Sequence, residues 1–180
     1  MGNVKKTIAL VEYYRGGHRE SYLRLFARAL CGQGYTVRVL CPCGEDVLGA
    51  ITQAGDGADC RWVRLELPHP PSRGFLIPRS VVQPLARWRA ARRAIERLAD
   101  DDVGPDLVFF MSAEALLLPS PFHRLLPRIF PYRWAGLVVQ PARFVPNRAG
   151  DLKARLYLSL NVFAPFRCVQ SNGIAILNET

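Results

Sequence analysis

The stretch that decides the fold is residues 7–42, "TIALVEYYRGGHRESYLRLFARALCGQGYTVRVLCP". It opens with a continuous apolar run of strand length, 7–12, and passes through a glycine turn into an amphipathic segment at 18–33. Apolar side chains recur in that segment at helical spacing, and glycines follow it. A second run, 35–42, is rich in β-branched residues and closes on proline. The stretch predicts a strand, a glycine turn, a helix and a second strand.

The rest of the chain continues this alternation of strands and helices. Further strands are predicted at 60–67, 106–111, 134–141 and 174–177, and further helices at 45–55, 80–99 and 150–165, while 112–127 is irregular or helical. The strand at 60–67 alternates and is expected to be more exposed, whereas several others are apolar on both faces, as buried parallel strands are. This order predicts an α/β fold, a doubly wound, mostly parallel, Rossmann-like sheet.

Composition sets the broad class of protein. A chain of 180 residues with 49% apolar residues is long enough to form one domain with a substantial core. The net charge of +9 comes mainly from arginine, whose planar fork binds phosphate and carboxylate, although a GC-rich genome explains the same composition. No window approaches the about 20 apolar residues of a membrane span, and the N-terminus lacks the pattern of a signal peptide. We therefore expect a cytoplasmic protein.

The cysteines give no indication of a metal site. They are five in number, and the closest pair, Cys41 and Cys43, has one residue between its sulfurs rather than the two typical of zinc knuckles or redox turns. We therefore expect free thiols in a reducing compartment and no bound metal.

The glycine turn follows the first predicted strand, at an edge where open α/β sheets bind their ligands. Gly16 and Gly17 would let the backbone approach a ligand, and the positive end of the next helix would attract an anion. The spacing is neither that of the dinucleotide fingerprint nor that of a Walker loop. On this evidence alone, a structural turn and a ligand site explain the two glycines equally well.

A family resemblance extends from this region. The sequence "VEYYRGGHRESYLRLFARALCGQGYTVRVLCP" at 11–42 resembles the opening of glycosyltransferases with the GT-B fold, especially those of family 4. The later stretches "GPDLVFF" at 104–110 and "IAILNE" at 174–179 are similar to the fourth and last strands of their N-terminal half. The resemblance covers the order of elements along the whole chain and is residue-specific mainly around 8–42.

This resemblance implies that residues 1–180 form the N-terminal, acceptor-side domain of a two-domain enzyme. The C-terminal, donor-binding domain, with its Glu-x7-Glu type signature, is then absent from the chain, which ends as if cut at a domain boundary. The implied activity is transfer of a sugar, of the hexosyltransferase type, with the isolated chain inactive alone. The donor is a nucleotide sugar and the acceptor a glycan, a lipid-linked molecule or a small molecule, with no separate cofactor.

Two alternatives remain open at this point. One is a non-catalytic Rossmann-like module that binds a nucleotide, and the other is one subunit of a split glycosyltransferase. Nucleic-acid binding is indicated only by charge, and no motif of a nucleic-acid-binding module accompanies it, so we expect no nucleic-acid partner.

The resemblance implies a donor site around the glycine turn. Gly16 and Gly17 would then face the donor's diphosphate. Arg15 and Arg19, which flank His18, could pair with phosphate, and an ordinary surface role is the alternative for each. His18 is the catalytic candidate, because some GT-B enzymes that invert the anomeric centre place a histidine base in this loop. Its alternatives are a ligand contact without base chemistry and an exposed histidine at the start of a helix.

The expected acceptor site follows two later strands. Ser112 and Glu114 come directly after the strand at 106–111, and Gln140 and Arg143 come at the end of and after the strand at 134–141. Glu114 could accept a hydrogen bond from a sugar hydroxyl, and it also fits the start of the following helix.

The helix at 80–99 carries a basic face opposite its apolar stripe. The predicted buried residues are Leu85, Trp88, Ala91, Ile95 and Leu98, and the basic residues are Arg87, Arg89, Arg92, Arg93 and Arg97. With the basic segment 123–134, this face suggests a peripheral contact with the anionic inner face of a membrane; an ordinary solvated face is the alternative.

Overall fold

The computed structural model of the chain describes residues 5–43, 59–67, 79–99, 104–116, 125–138 and 171–176. The strands are β1 (Thr7–Val11), β2 (Thr36–Cys41), β3 (Cys60–Arg64), β4 (Leu107–Phe110), β5 (Trp134–Val138) and β6 (Ser171–Ile176). The helices are α1 (His18–Gly32), α2 (Arg79–Ala99) and α3 (Leu126–Ile129), with a 3-10 turn at Ala113–Leu116. The predicted helices at 45–55 and 150–165 lie outside the described residues.

The described strands form one parallel sheet in the order β3-β2-β1-β4-β5-β6. The order runs outward in one direction from β1 to β3 and in the other direction from β4 to β6. The direction of winding therefore changes between β1 and β4, which pair through Ile8 with Leu107 and Val11 with Phe110. The predicted doubly wound α/β fold is confirmed, and β1 with β4 marks its switch point.

One face of the sheet is covered by α1. Successive side chains of a strand point to opposite faces, so Ile8 and Leu10 of β1 project toward this helix while Ala9 and Val11 project away. Leu23 and Ala27 of α1 are fully buried among them. The apolar side chains predicted at helical spacing in 18–33 therefore recur because one side of α1 packs into this core.

A specific turn ends α1 and leads into β2. Gly34 has a φ of +84°, and its N–H donates to the carbonyl of Cys31 at 2.9 Å. The N–H of Tyr35 donates to the carbonyl of Leu30 at 3.1 Å, which completes a Schellman motif. Glycine at 34 thus stops the helix and turns the chain into the next strand.

The opposite face of the sheet is covered by α2. Trp88 lies at the centre of an aromatic cluster, with ring centroids 4.9 Å from Phe110, 5.0 Å from Phe130 and 5.1 Å from Trp134. The predicted stripe of α2 is confirmed: Trp88, Ala91, Ile95 and Leu98 are buried, and Leu85 is half-buried against the same cluster.

The 3-10 turn after β4 is packed tightly against β5. A Cβ added to Gly136 would lie 2.6 Å from the Cβ of Ala113, which is closer than real carbon atoms approach. Only glycine therefore lets the turn rest on β5 in this position. This contact fixes the segment that carries Ser112 and Glu114.

The described residues lack the features of a membrane span and of a metal site. No helix among them is both long enough and apolar enough to cross a bilayer. Nor do they hold a group of histidine, cysteine and acidic side chains arranged to bind a metal ion. Cys31, Cys41, Cys43 and Cys60 are free thiols, and Cys168 lies outside the described residues.

Candidate functional site

The carboxyl ends of β1 and β4 bring two polar residues together at the switch point. Glu12 follows β1 directly and is 1% exposed, and Ser112, just after β4, is fully buried. One Glu12 oxygen accepts the backbone N–H groups of Tyr13 at 2.7 Å and Tyr14 at 2.9 Å. The other accepts the hydroxyl of Ser112 at 2.7 Å. Glu12 thereby ties the start of the glycine loop to the end of β4.

The surroundings of Glu12 have opposing effects on the pKa of its carboxyl. Burial raises the pKa of the Glu12 carboxyl above its usual value and is the largest influence. The hydrogen bonds from Ser112 and from the backbone, together with the charge of Arg19, act in the opposite sense without cancelling it. Both oxygens already have donors, so Glu12 holds the loop in position rather than offering an open acceptor to a ligand.

Arg19, in the first turn of α1, reaches over the same site. Its guanidinium lies 3.9 Å from the centre of the Tyr14 ring, a cation–π contact. Its Nη1 donates a long hydrogen bond of 3.5 Å to the Ser112 hydroxyl, and its Nη2 lies 3.9 Å from a carboxylate oxygen of Glu114. We call Glu12, Arg19, Ser112 and Glu114 the switch-point cluster.

Glu114 is the member of the switch-point cluster with unused hydrogen-bond acceptors. Its side chain is 6% exposed, and neither of its buried oxygens accepts a hydrogen bond from any part of the chain that the structure describes. A buried carboxylate is normally hydrogen-bonded, because burial otherwise costs it the hydration of its charge. Arg19 balances the charge but leaves the acceptor capacity unused. Glu114 therefore has acceptor capacity for the hydroxyl donors of a ligand, provided that a local movement exposes its oxygens.

The glycine turn is dictated by backbone conformation. Gly16 has a φ of +78°, and Gly17 has a φ of +67° with a ψ of −154°, a region that only glycine occupies readily. A Cβ added at either position would meet nothing within 4 Å. The glycines are thus needed for the path of the chain, while the space beside them is open.

The start of α1 already holds an internal anion. The N–H of Gly16 donates to a carboxylate oxygen of Glu20 at 2.7 Å, and the Cys43 thiol donates to the same oxygen at 3.1 Å. These two hydrogen bonds, that of Cys43 first, lower the pKa of the Glu20 carboxyl. Glu20 therefore occupies one of the amide groups that the sequence assigned to a donor phosphate.

The remaining predicted donor residues lie in different surroundings. His18 is the first residue of α1 and is exposed, with its ring edge-on to Tyr22 at 6.1 Å between centroids. Arg15 is exposed on the wall of a groove beside β3 and α2 and does not join Arg19.

The structure brings together three of the predicted site residues. Arg19 was assigned to the donor and Ser112 and Glu114 to the acceptor, yet all three meet in one cluster. The predicted start of a helix at Glu114 is a 3-10 turn, Ala113–Leu116. Gln140 and Arg143 lie outside the described residues.

Glu12, the last residue of the predicted strand at 7–12, was not among the predicted site residues. A carboxylate at the carboxyl end of a central strand is the feature that could have identified it, because that position lies in the crevice of a doubly wound sheet. The hydrogen bond that it accepts from Ser112, a residue 100 positions away, could not be inferred from spacing.

The basic face predicted for α2 is largely engaged with the protein itself. Arg87 donates to the carbonyl of Ala115 at 2.9 Å. Arg92 bonds Glu96 at 2.6 Å and the carbonyl of Arg128, at the end of α3, at 3.1 Å. Arg97 pairs with Glu66 at 3.2 Å. Only Arg89 and Arg93 of the predicted face have no partner among the described residues, which narrows the surface left for a membrane.

Comparison with known proteins identifies similarity in structure but not in sequence. No family model and no curated protein matches the chain. The fold is similar to UGT89C1 of Arabidopsis thaliana, solved with quercetin, with a TM-score of 0.54 and 20% identity over 97% of this chain. Weaker similarities are to CalG4, the calicheamicin glycosyltransferase (TM-score 0.47, 19% identity, 87% of this chain and 37% of that one), and to a glycosyltransferase of Rickettsia africae (0.47, 13%, 98% and 44%).

The similarity to UGT89C1 establishes the fold. The chain shares its Rossmann-like α/β architecture with a structure of the GT-B class, as the resemblance predicted. It spans 44% of the length of UGT89C1. A similarity at 20% identity concerns the fold alone, so the assignment to glycosyltransferase family 4 stays a prediction.

Proposed function

We propose that this chain is the acceptor-side half of a GT-B glycosyltransferase that transfers a sugar from a nucleotide-sugar donor to a hydroxyl-bearing acceptor. Glu114 carries the proposal. It is a buried carboxylate at the carboxyl end of β4, balanced by Arg19 at 3.9 Å, and it accepts no hydrogen bond from the described residues. Vicinal hydroxyls of a sugar would satisfy both of its oxygens, as such a carboxylate requires.

The other members of the switch-point cluster would hold Glu114 and the loop in place. Glu12 fixes Tyr13 and Tyr14 through their backbone, and Tyr14 in turn supports the guanidinium of Arg19. These contacts would keep the loop in a defined orientation, which favours catalysis. The Glu114 oxygens are buried, so a ligand would reach them only after a neighbouring side chain moves.

The donor's diphosphate would lie at the start of α1, where the dipole of a 15-residue helix favours negative charge. Glu20 now accepts the Gly16 N–H there, so a diphosphate would have to displace this carboxylate. His18 is exposed beside this position and would contact the donor or serve as the base of an inverting reaction.

The test uses the product of the complete native gene. It is incubated with a panel of nucleotide sugars and candidate acceptors, and release of nucleoside diphosphate is measured. Glu114→Gln should lower kcat/KM about 10- to 100-fold, the cost of weakening hydrogen bonds to a charged group. Asp106→Asn is the matched control, because Asp106 is exposed at the amino end of β4, away from the cluster, and an asparagine can still accept the Thr7 N–H that Asp106 now accepts.

His18→Gln sharpens the assignment of the base. A loss in kcat with donor KM unchanged supports base chemistry, and a rise in KM alone supports binding only. Absence of turnover with every nucleotide sugar, or equal activity of Glu114→Gln and Asp106→Asn, would overturn the proposal. Saturable nucleotide binding without turnover would favour a non-catalytic module or a subunit of a split enzyme.

A further inference from the structure

A second candidate site lies beside the switch-point cluster and shares no residue with it. It is an open groove of about 1060 Å³ between the carboxyl ends of β2 and β3 and the side of α2. Leu65 and Ala90, both almost fully buried, lie at its base, and Pro42 and Leu67 contribute further apolar surface. We call this volume the arginine groove, after the four arginines on its walls: Arg15, Arg64, Arg93 and Arg97.

The charges of the arginine groove are unevenly matched. Its two acidic residues are both engaged, Glu66 by Arg97 at 3.2 Å and Glu96 by Arg92 at 2.6 Å. Arg15, Arg64 and Arg93 are exposed and have neither an ion pair nor a hydrogen bond within the part of the chain that the structure describes. Three arginines from three different elements thus face one concavity without an acidic partner.

Such an arrangement has a direct electrostatic consequence. Like charges around a concave, low-dielectric wall focus a positive potential inside it. Arginine presents its donors in a planar fork that fits the oxygens of phosphate, so guanidinium groups on several walls can bind several oxygens at once. The apolar base would accept the uncharged part of the same ligand.

We propose that the arginine groove binds a small soluble molecule that carries a phosphate or diphosphate group. The groove has the volume of a small-molecule site and combines an apolar base with a few charged groups. A membrane would instead need basic residues spread over a flat or convex face. On α2 that face is depleted, because Arg87 and Arg92 donate to carbonyl oxygens of the protein.

The experiment titrates the chain with inorganic pyrophosphate and measures binding by calorimetry at low ionic strength. The test variant is Arg64→Gln combined with Arg93→Gln. Because both side chains are exposed, the variant should keep its fold, which a thermal melt checks. We expect saturable binding by the unchanged chain, and a loss of affinity of about tenfold or more in the variant, from the loss of two charged donors.

The matched control removes the same two charges elsewhere. Lys5→Gln combined with Arg89→Gln alters exposed residues outside the groove and should change the affinity less than twofold. An equal loss in the control would show that net charge alone attracts pyrophosphate and would overturn the proposal. So would the absence of saturable binding, or binding only to vesicles that contain phosphatidylglycerol, which would identify a membrane surface instead.

The outcome is separable from that of the proposed function. Pyrophosphate binding depends on Arg64 and Arg93, whereas the transferase test depends on Glu114. A groove that binds pyrophosphate in a protein without transferase activity would support this inference and refute only the other.

Discussion

The switch-point cluster and the arginine groove are neighbouring regions that treat charge in opposite ways. In the cluster, Glu12 and Glu114 are almost fully buried, and Arg19 is the cation that lies against them. In the groove, Arg15, Arg64 and Arg93 are exposed and unmatched by acids among the described residues. The carboxylates of the cluster are almost fully removed from water, whereas the guanidinium groups of the groove are exposed to it.

This difference determines what a substitution in each region can report. A buried charge that loses its partner retains the cost of its desolvation, so changes in the cluster should affect both stability and activity. A hydrated arginine contributes little to folding, so changes in the groove should affect binding alone. Stability measurements can therefore separate the two regions before any ligand is known.

The largest effect is expected for Glu12→Ala. It leaves the N–H groups of Tyr13 and Tyr14 and the hydroxyl of Ser112 without the acceptor they now share. We expect a loss of about 3 kcal/mol in the free energy of unfolding, measured by urea denaturation, because each unsatisfied buried donor is costly. Glu66→Ala, in the groove, should change it by less than about 0.5 kcal/mol. Similar values for the two variants would contradict the contrast between the regions.

The next largest effect is expected for a substitution at Gly136, which tests the packing beneath the switch-point cluster. Gly136→Ala places a Cβ 2.6 Å from that of Ala113, and neither backbone can move without shifting β5 or the 3-10 turn. We expect a loss of about 2 kcal/mol in the free energy of unfolding, typical of overpacking. Gly104→Ala is the control, since a Cβ there would meet nothing within 4 Å. A loss at residue 104 as large as at residue 136 would exclude this explanation.

The sequence predicted the fold well because the fold depends on local periodicity. Apolar runs of strand length and the helical spacing of Leu23 and Ala27 are physical requirements of the two cores on either side of the sheet. The position of the crevice followed from the same pattern, which is why Ser112 and Glu114 were identified. The meeting of Arg19 with both depended only on α1 starting beside the switch point.

The site was less predictable where it depends on contacts distant in the chain. Nothing near Glu12 indicates that it would bond Ser112, and nothing near Arg15 indicates that it would line a groove with Arg64 and Arg93. The role of Glu20 was also hidden, because a carboxylate in the first turn of a helix is explained by the dipole alone. Its hydrogen bond from Gly16 depends on the left-handed turn that precedes it.

A smaller effect is expected at the turn that lies between the two regions. Gly17→Ala should lower the free energy of unfolding by about 1 kcal/mol, because alanine is strained at a φ of +67° although the space beside it is open. Gly32→Ala, without a positive φ and also in open space, should be neutral or slightly stabilising. If both variants match the unchanged chain, strain is not the reason for glycine at 17.

The smallest expected effect is a change in how stability depends on pH. It concerns Glu12 and Glu20, the two carboxylates on either side of the glycine turn. The pKa of Glu12 is raised by burial, so its contribution is fully present below the ordinary value of 4.5 and is lost as pH rises through the folded-state pKa. The pKa of Glu20 is lowered by the hydrogen bonds from Cys43 and Gly16, so its contribution is present above 4.5 and is lost as pH falls.

Glu12→Gln and Glu20→Gln should therefore change the pH profile in opposite directions. A glutamine at 12 can keep accepting the two backbone N–H groups while its amide donates to the Ser112 oxygen, so the variant should lose less stability than the unchanged chain as pH rises from 4.5 toward neutrality. A glutamine at 20 should lose less as pH falls below 4.5. Urea midpoints measured from pH 3 to pH 8 would show whether the two variants differ in this way. Parallel profiles for both variants would mean that burial of Glu12 and hydrogen bonding of Glu20 do not shift the two pKa values in opposite directions.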